Sequence, residues 1–437
     1  MTKCIKELSL FPACKSKKIQ VDFKGGTVTS DAGVLLLRSV DRKIGLTRAV
    51  DSVLSDPRRQ ASCTHSQLSM LRQRIYGLCV GYEDLNDHQT LRHDIAFQTA
   101  VETDAALASS PTLCRMENRA NREMGWAINT IMVEKFIESF KRPPEELILD
   151  FDATDDTVHG EQEGRFFHGY YDEYCFLPLY VFCGDQLLVS YLRESKIDPA
   201  KHAWAILALL VKRFREVWPR VRIIFRADSG FCRWRLMRWC DSHDVSYVIG
   251  IGKNARLNEI ARAYIEEAQR RYEETEKKQR LFVDLIYGAR TWDKERRVIV
   301  KAEHNRMGSN PRYVVTNMGG GAREIYEKLY CARGDMENRI KEQQLDLFSD
   351  RTSCHRWWPN QLRLLLSSLA YVLVETIRRL GLRGTQLARA QCRTIRLKLF
   401  KIGAIIRRNT RRIYFHLSGG YPYEDMFFLV ARRLAGG

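Results

Sequence analysis

The sequence predicts an α/β protein whose alternating central region lies between two mainly helical regions. From residue 146 to about 350, short apolar runs rich in β-branched and aromatic residues alternate with longer segments whose apolar residues recur every three or four positions. Outside that stretch the three-to-four spacing typical of amphipathic helices predominates. With 437 residues, the chain is long enough for two or three domains and at least one substantial core.

The first predicted domain covers residues 1–145. The segments "IQVDF" and "TVTS" flank Gly25-Gly26, which predicts a small β-hairpin. The rest is predicted to be helical because apolar residues follow a helical spacing in "DAGVLLLRSVDRKIG", "HSQLSMLRQRIYGLCVGYEDL" and "REMGWAINTIMVEKFIESF". Pro143-Pro144 ends this region.

Residues 146–350 are predicted to form the α/β domain. The predicted strands are 147–153, 174–183, 187–193, 221–227 and 245–250, with helices at about 200–217 and 232–243. The first three strands can form an antiparallel meander. Residues 253–320 interrupt this order with a charged helical piece and three β-like runs, which we interpret as an inserted β subdomain. A helix is expected at about 322–346.

The third predicted domain, residues 351–437, is strongly basic. The whole chain carries a net charge of +18, and this region holds 17 Lys and Arg against three acids, a local +14. A solvated helical face is one interpretation. However, apolar residues interleave with the bases in "RTIRLKLFKIGAIIRRNTRRIYFHL", which favours a folded, basic helical surface. Such a surface usually meets a polyanion, most commonly nucleic acid. Its candidate contacts are Arg407, Arg408, Arg411 and Arg412.

Composition also argues against several classes of protein. The twelve cysteines contain no C-x-x-C pair, so a zinc site is not expected. The longest apolar run, residues 364–374, is too short to cross a bilayer, and the N-terminus lacks the apolar core of a signal peptide. We therefore expect a cytoplasmic protein with free thiols.

Carboxylates follow two of the predicted strands. In "LILDFDATDD" the side chains of Asp150 and Asp152 lie on the same face, because side chains alternate along a strand. In "FRADSGF", Asp228 follows an apolar strand and precedes a turn. Acids at strand ends near a common edge can converge on a divalent cation, and Mg²⁺ prefers such oxygen ligands.

The helix at 322–346 carries further candidates. At about 100° per residue, Tyr330, Arg333, Glu337 and Lys341 fall on one face. That face combines a phenol, a guanidinium, a carboxylate and an ammonium. Taken alone, it could equally be an ordinary solvent-exposed face.

Together these motifs resemble those of a known family. "LDFDAT", "FRADSGF" and Y-x-x-R-x-x-x-E occur in this order, with a β-rich insertion before the last, as in bacterial insertion-sequence transposases of the DDE type. The sequence is most similar to the group whose third acid lies in a Tyr-Arg-Glu-Lys helix, and within it to the branch numbered thirteen-eighty. The resemblance also includes "TSDAG", "RQRIYGLCVGYEDLNDH" and "WPNQLRLLLSSLAY".

The resemblance implies an RNase H-like catalytic core and assigns roles to its residues. The family's first Asp precedes x-Thr, which selects Asp152 rather than Asp150; the second and third acids match Asp228 and Glu337. These three are the implied catalytic residues and metal ligands.

Other positions match the family's DNA contacts less completely. Tyr330 and Arg333 match residues that contact the DNA backbone near the cut. The family's Lys, expected seven residues after the Glu, is Gln344 here, and Lys341 could substitute for it.

The activity implied is DNA transposition. Such proteins cut at the ends of an element and join the freed 3′-hydroxyls to target DNA, using two Mg²⁺ or Mn²⁺ ions. The implied partners are double-stranded DNA, both terminal repeats and target, and a second copy of the chain that brings two ends together. The N-terminal region would then bind the DNA ends. Family members often cut through a hairpin with a flipped base, and Trp292 is a candidate to stack on that base or simply to pack between strands.

Two alternatives remain open from the sequence. An apolar strand followed by D-x-D-x-T is also the first motif of haloacid-dehalogenase-like phosphatases, with Asp150 as nucleophile and Asp152 as acid/base. The long preceding region and the basic C-terminus argue against that interpretation. The second alternative is a catalytically inactive, DNA-binding relative. A metal-dependent nuclease would share the three acids but lack strand transfer.

Overall fold

The computed structural model describes residues 11–436, so the first ten residues of the predicted N-terminal domain, and Gly437, lie outside the described residues. Its core is a nine-stranded sheet in the order β10-β11-β13-β9-β8-β2-β6-β7, with β12 beside β11. The strands are β1 (Val28–Thr29), β2 (Glu146–Ala153), β3 (Asp156–Thr157), β4 (Phe166–His168), β5 (Glu173–Phe176), β6 (Leu179–Cys183), β7 (Gln186–Tyr191), β8 (Arg222–Ala227), β9 (Ser246–Ile251), β10 (Gln279–Tyr287), β11 (Arg296–Asn305), β12 (Gly308–Ser309), β13 (Arg312–Thr316), β14 (Ala404–Arg408) and β15 (Ile413–Leu417).

The centre of the sheet contains the predicted antiparallel meander. β2, β6 and β7 are antiparallel neighbours, as expected for a meander, while β8 lies parallel to β2 on its other side and β9 lies parallel to β8. Three short strands between β2 and β6 form a separate small sheet, in the order β3-β5-β4. The carboxyl ends of β2, β8 and β9 therefore meet at one edge of the sheet.

The strands of segment 253–320, which the sequence predicts as an inserted β subdomain, pair with the central sheet. β13 pairs antiparallel with β9, from Tyr313 opposite Ile251 to Thr316 opposite Val248, and β11 and β10 follow outward. The segment thus extends the central sheet. The physical reason is that β9 would otherwise present a row of unpaired backbone groups along its outer edge.

The helices cover the sheet and form the flanking regions. They are α1 (Val34–Ile44), α2 (Leu46–Val53), α3 (Gln67–Val80), α4 (His88–Leu91), α5 (Ile95–Val101), α6 (Ser110–Glu117), α7 (Arg122–Glu138), α8 (Ala203–Val217), α9 (Trp234–Ser242), α10 (Ala255–Ile260), α11 (Arg262–Thr275), α12 (Ala322–Glu324), α13 (Gly334–Lys341), α14 (Trp357–Thr376), α15 (Cys392–Ile395) and α16 (Glu424–Ala435). Among the described residues, none of these helices is both long and apolar enough to cross a membrane.

The N-terminal and C-terminal regions share one hydrophobic core. The buried, apolar helix α14 packs against α3, α7 and β7, and the same cluster of buried residues includes Leu37 of α1 and Val430 of α16. A second cluster, between the sheet and α8, α9 and α11, contains Leu149 and Phe151 of β2. The regions that precede and follow the sheet in sequence are therefore joined in space.

The predicted secondary structure is wrong in two places. The C-terminal region is not entirely helical, because β14 and β15 form an antiparallel hairpin. The N-terminal hairpin around Gly25-Gly26 is absent from the described chain, since β1 pairs with β14 instead. Ile406 and Phe415 alternate with exposed residues and pack one face of the hairpin on the core. Because side chains alternate between the two faces of a strand, a hairpin buries these two residues and leaves their neighbours exposed. Because Arg407 and Arg408 are consecutive and both exposed, the alternation is difficult to recognise in the sequence.

Candidate active site

Two of the predicted acids meet at the carboxyl edge of the parallel strands. Phe151 of β2 pairs with Ala227 of β8, so the next residue of each strand, Asp152 near the end of β2 and Asp228 just after β8, lies at this edge. Phe151 is directed into the core, which places the Asp152 side chain on the opposite face. Asp228 accepts a hydrogen bond of 2.9 Å from the backbone N–H of Gly230, which fixes it at the start of the following 3₁₀ turn.

The third acid comes from the predicted helix. Residues 322–346 are helical throughout, with wider π turns at Ile325–Tyr330 and Glu342–Asp346. From this segment the Arg333 guanidinium donates to Asp152 Oδ2 at 3.1 Å and also to Glu337 Oε1. The structure therefore brings Asp152, Arg333 and Glu337 together. π turns recur at functional sites because they re-aim side chains.

The electrostatics of the three acids are those of a crowded, partly buried site. Burial is the main cause that raises the pKa of the Asp152 carboxyl to about 7; the Arg333 guanidinium opposes this rise, and the Asp228 and Glu337 carboxylates add to it. Burial also raises the pKa of Asp228, again against the effect of Arg333. Three carboxylates with a single guanidinium between them leave an excess of negative charge, which favours binding of a further cation.

Asp150 is not available for the same chemistry. It is 2% exposed, and both of its oxygens accept hydrogen bonds from Arg226, the Nη2 bond being 2.6 Å long. The two residues are opposite each other on β2 and β8, and Arg226 also donates to the backbone oxygen of Leu329. The pair ties the helical segment to the sheet. A nucleophilic Asp150, as in the phosphatase interpretation, would have to lose this partner.

Tyr330 contacts the end of β9, and Gly250 makes that position possible. A Cβ atom at residue 250 would lie 2.5 Å from the Tyr330 hydroxyl oxygen and 3.0 Å from the backbone nitrogen of Ser229. Only glycine leaves room for the phenol beside Asp228. Sequence reasoning missed Gly250; a glycine near the end of an apolar strand was the available signal.

Lys341 and Gln344 lie further along the same helical segment. Lys341 is exposed and forms no ion pair or hydrogen bond within residues 11–436. Gln344, at the position of the family's Lys, donates to the backbone oxygen of Asp155 at 2.9 Å. That contact, which the sequence did not predict, holds the helix against the loop that follows Asp152.

The donor set suits a hard divalent cation. Carboxylate oxygens are the ligands that Mg²⁺ and Mn²⁺ prefer, and the excess negative charge at Asp152, Asp228 and Glu337 fits such an ion. In the described part of the chain, no three His, Cys, Asp or Glu side chains stand at metal-binding separations. The Arg333 guanidinium lies between Asp152 and Glu337 instead and compensates part of their charge.

The remaining predicted residues lie elsewhere. Trp292, in the β10–β11 connection, packs edge-on against Tyr287 with ring centroids 5.5 Å apart and is partly buried on the core. The sheet register puts this connection at the opposite end of the sheet from Asp152 and Asp228. The four predicted C-terminal arginines lie on the β14–β15 hairpin: Arg407 and Arg408 end β14, and Arg411 and Arg412 precede β15.

Comparisons with known proteins identify the family of the chain. A family model described as "Transposase DDE domain group 1" matches residues 11–436. Among solved structures, the chain is similar to the piggyBac transposase in a synaptic complex with hairpin DNA, with 11% sequence identity and a TM-score of 0.43, over 85% of this chain and 79% of that chain. No curated protein sequence matches it.

Proposed function

The chain belongs to the transposases of DDE domain group 1, and we propose that it cuts DNA at the ends of an insertion sequence and joins the freed 3′-hydroxyls to target DNA. The observation that supports this proposal is that Arg333 links Asp152 to Glu337 by hydrogen bonds, while Asp152 and Asp228 follow paired residues of β2 and β8. We also propose that β2, β6, β7, β8 and β9 form an RNase H-like core, which is supported by the antiparallel meander of β2, β6 and β7 and by the parallel arrangement of β2, β8 and β9.

Asp152, Asp228 and Glu337 would hold two Mg²⁺ or Mn²⁺ ions. Ions bound there supply Lewis acidity for a water or 3′-hydroxyl nucleophile and for the leaving oxygen of an in-line displacement. The chain's own contribution is position. The Asp150–Arg226 pair fixes strand and helix to each other, and the Gly230 N–H fixes Asp228. Because the displacements are direct, no covalent protein–DNA intermediate is needed.

Arg333 and Tyr330 would bind the DNA backbone beside the cut. The Arg333 guanidinium compensates two acids in the DNA-free protein and can turn to a phosphate when DNA and cations enter. Lys341 is exposed on the same helix and would add a phosphate contact.

Arg407, Arg408, Arg411 and Arg412 would contact DNA further from the acids, with an affinity that falls as salt rises. A stacking role for Trp292 would have to act on DNA held at a second copy of the chain, because of its place at the far end of the sheet.

The assembly follows from the substrate. Two element ends must be held together for joining, so we propose a homodimer on double-stranded DNA that includes the terminal repeats and the target. Membership of the thirteen-eighty branch, a bacterial insertion-sequence origin and work in the cytoplasm are parts of the same proposal.

The test is a cleavage and strand-transfer assay with Mg²⁺ or Mn²⁺ on duplexes from the ends that flank the gene. We expect Asp152→Asn and Glu337→Gln to lose at least about 10³-fold in cutting rate, since each removes a charged ligand, while DNA binding is retained. Asp150→Asn keeps a polar partner for Arg226 and is expected to keep measurable activity. Thermal unfolding of each variant separates loss of chemistry from loss of fold.

Other outcomes would replace the proposal. Activity lost in Asp150→Asn but intact in Glu337→Gln would favour the phosphatase chemistry. Cutting without joining would indicate a nuclease. Binding without any cutting by the wild type would leave the inactive DNA-binding relative.

A further inference from the structure

The C-terminal hairpin forms a small sheet of its own with the N-terminal region. β14 pairs with β15 from Ala404 opposite Leu417 to Arg408 opposite Ile413, and β1 adds a third strand. Residues directly opposite each other share a face. One face, with Ile406 and Phe415, packs on the core that the terminal regions share.

The other face of this sheet points to solvent and carries an unusual set of side chains. It consists of Val28, Ile405, Arg407, Tyr414 and His416, all exposed. The Tyr414 and His416 rings are parallel, with centroids 6.2 Å apart and an interplanar angle of 6°. We name these five residues the outer face. Apolar, aromatic and cationic groups lie side by side on it, with no carboxylate among them.

The charge around the outer face is positive and uncompensated. The sequence contains no Asp or Glu between Thr376 and Tyr423. Within residues 11–436, Arg407, Arg408, Arg411 and Arg412 form no ion pair, and all four are exposed. An anionic surface is therefore the complementary partner.

The width of the hairpin favours one of the two grooves of DNA. β1 pairs only with Ala404 and Ile405, so the hairpin beyond Ile405 is a two-stranded ribbon whose strands lie about 4.8 Å apart. The major groove of B-DNA is about 12 Å wide and admits a two-stranded ribbon, whereas the minor groove, at about 6 Å, does not. The outer face also matches the chemistry of that groove, because arginine pairs with guanine O6 and N7 and apolar groups contact thymine methyls.

We propose that the outer face of the hairpin enters the DNA major groove and reads the sequence of the element end, while the arginines at the tip contact phosphates. This deepens the proposed function by assigning end recognition to a sheet shared by the N- and C-terminal regions. It rests on that function only for the identity of the DNA.

The base of the hairpin is held rigidly, as a reading element requires. Lys401 Nζ lies 2.8 Å from Asp31 Oδ1, and the Tyr82 hydroxyl donates to Asp31 Oδ2 at 2.7 Å. The backbone N–H of Gly33 donates to the Phe400 oxygen at 3.1 Å. A Cβ at Gly33 would lie 1.9 Å from the Leu399 oxygen, so the two segments are in the closest possible contact. This is a structural role for the "TSDAG" motif.

The experiment uses the full chain and a DNA library with a randomised centre. Wild-type protein selects a duplex, and fluorescence anisotropy at fixed salt gives its affinity for that duplex relative to an unrelated one. We expect Arg407→Ala and Tyr414→Ala each to lower this ratio, roughly 5- to 150-fold for a lost base contact. The matched control, Arg411→Ala at the tip, should weaken both duplexes equally.

Modified bases identify the groove. Replacing guanine by 7-deazaguanine, or thymine by uracil, removes major-groove groups and should weaken wild-type binding to the selected duplex. Inosine in place of guanine removes the minor-groove amino group and should not. Weakening by inosine alone would overturn the proposal, as would an unchanged affinity ratio in Arg407→Ala or the absence of any enriched sequence.

Failure of this inference is distinguishable from failure of the proposed function. Asp152→Asn should select the same sequence as the wild type, since the acids lie in another sheet. Selection without cutting would support the reading hairpin and contradict the transposase. Cutting by the wild type, together with an unchanged affinity ratio in Arg407→Ala, would support the transposase and contradict the reading hairpin.

Discussion

The carboxylate edge and the C-terminal hairpin are both dense in charge, but they differ in how that charge is compensated. At the edge, Arg226 is paired with Asp150, and Arg333 with Asp152 and Glu337. On the hairpin, within the part of the chain that the structure describes, the arginines have no acidic partner. Charge compensated inside the protein fixes geometry, whereas charge left open is compensated by something outside. The compensated pairs fix the strands and the helix of the edge to one another, and the open charges of the hairpin attract anions.

The largest effect should come from breaking the buried pair at the edge. Arg226→Met leaves Asp150 buried without a counter-charge, and we expect a loss of about 3–5 kcal/mol in the free energy of unfolding. Urea denaturation measures it. The double variant Asp150→Leu/Arg226→Met should recover much of the loss, because no charge is then left unpaired. A loss no larger than that of an exposed arginine would mean that the pair does not hold the edge.

A smaller effect is expected from disturbing the attachment of the hairpin. In Gly33→Ala the added methyl meets the backbone of Leu399 and Phe400, which cannot move as a flexible side chain could. We expect a stability loss of roughly 1–3 kcal/mol and a lower selectivity for DNA sequence. Gly403→Ala is the matched control, since its nearest neighbouring atom would be 4.0 Å away. Equal stability of the two variants would contradict the tight contact.

Glu375 is buried in α14, and its partner Arg379 compensates its charge only in part. Its charge compensation is therefore intermediate between that of the carboxylate edge and that of the hairpin. Burial raises the pKa of Glu375 to about 7. The folded protein thus holds this proton more tightly than the unfolded chain. The stability contributed by neutral Glu375 is full below about pH 4.5 and is lost as the pH rises through about 7.

The corresponding variant is Glu375→Gln. Its stability relative to wild type should rise between pH 5 and pH 8 by up to about 3 kcal/mol, since glutamine carries no charge to bury. Thermal unfolding at the two pH values provides the measurement, and Glu424→Gln, at an exposed site, serves as control. A difference that does not change with pH would show that Glu375 stays charged in the folded protein.

The smallest effect should follow from removing one open charge. Arg411→Ala should change the free energy of unfolding by no more than about 0.5 kcal/mol. It should reduce the slope of log affinity against log salt by about 1, the share of one phosphate contact. Binding titrations over a range of salt give the slope. An unchanged slope would place this arginine away from DNA.

Local patterns in the sequence were sufficient to predict the strands that form the carboxylate edge. The alternation around Asp150 and Asp152, and the apolar run before Asp228, placed both acids at strand ends, and the apolar runs located β2, β6, β7, β8 and β9 along the chain. The helix was found from its spacing. The pairing of strands far apart in sequence could not be predicted in this way, because no local pattern indicates that β13 pairs with β9.

The ion-pair partners of charged residues likewise could not be predicted from local sequence patterns. That Arg226 faces Asp150 depends on the register of two parallel strands, and that Arg333 reaches Asp152 depends on where the helix crosses the sheet. The hairpin was missed for another reason. Arg407 and Arg408 interrupt an alternating apolar pattern at the point where the chain leaves the core.

The pairing of Val28 with Ile405 has a consequence for biosynthesis. The third strand of the hairpin sheet leaves the ribosome long before its partner does. The core of the terminal regions is likewise incomplete until α14 and α16 have been made. Contacts so distant in sequence form slowly, and a chain interrupted before them would expose apolar surface and be degraded. Truncated products would therefore not accumulate as competitors for DNA.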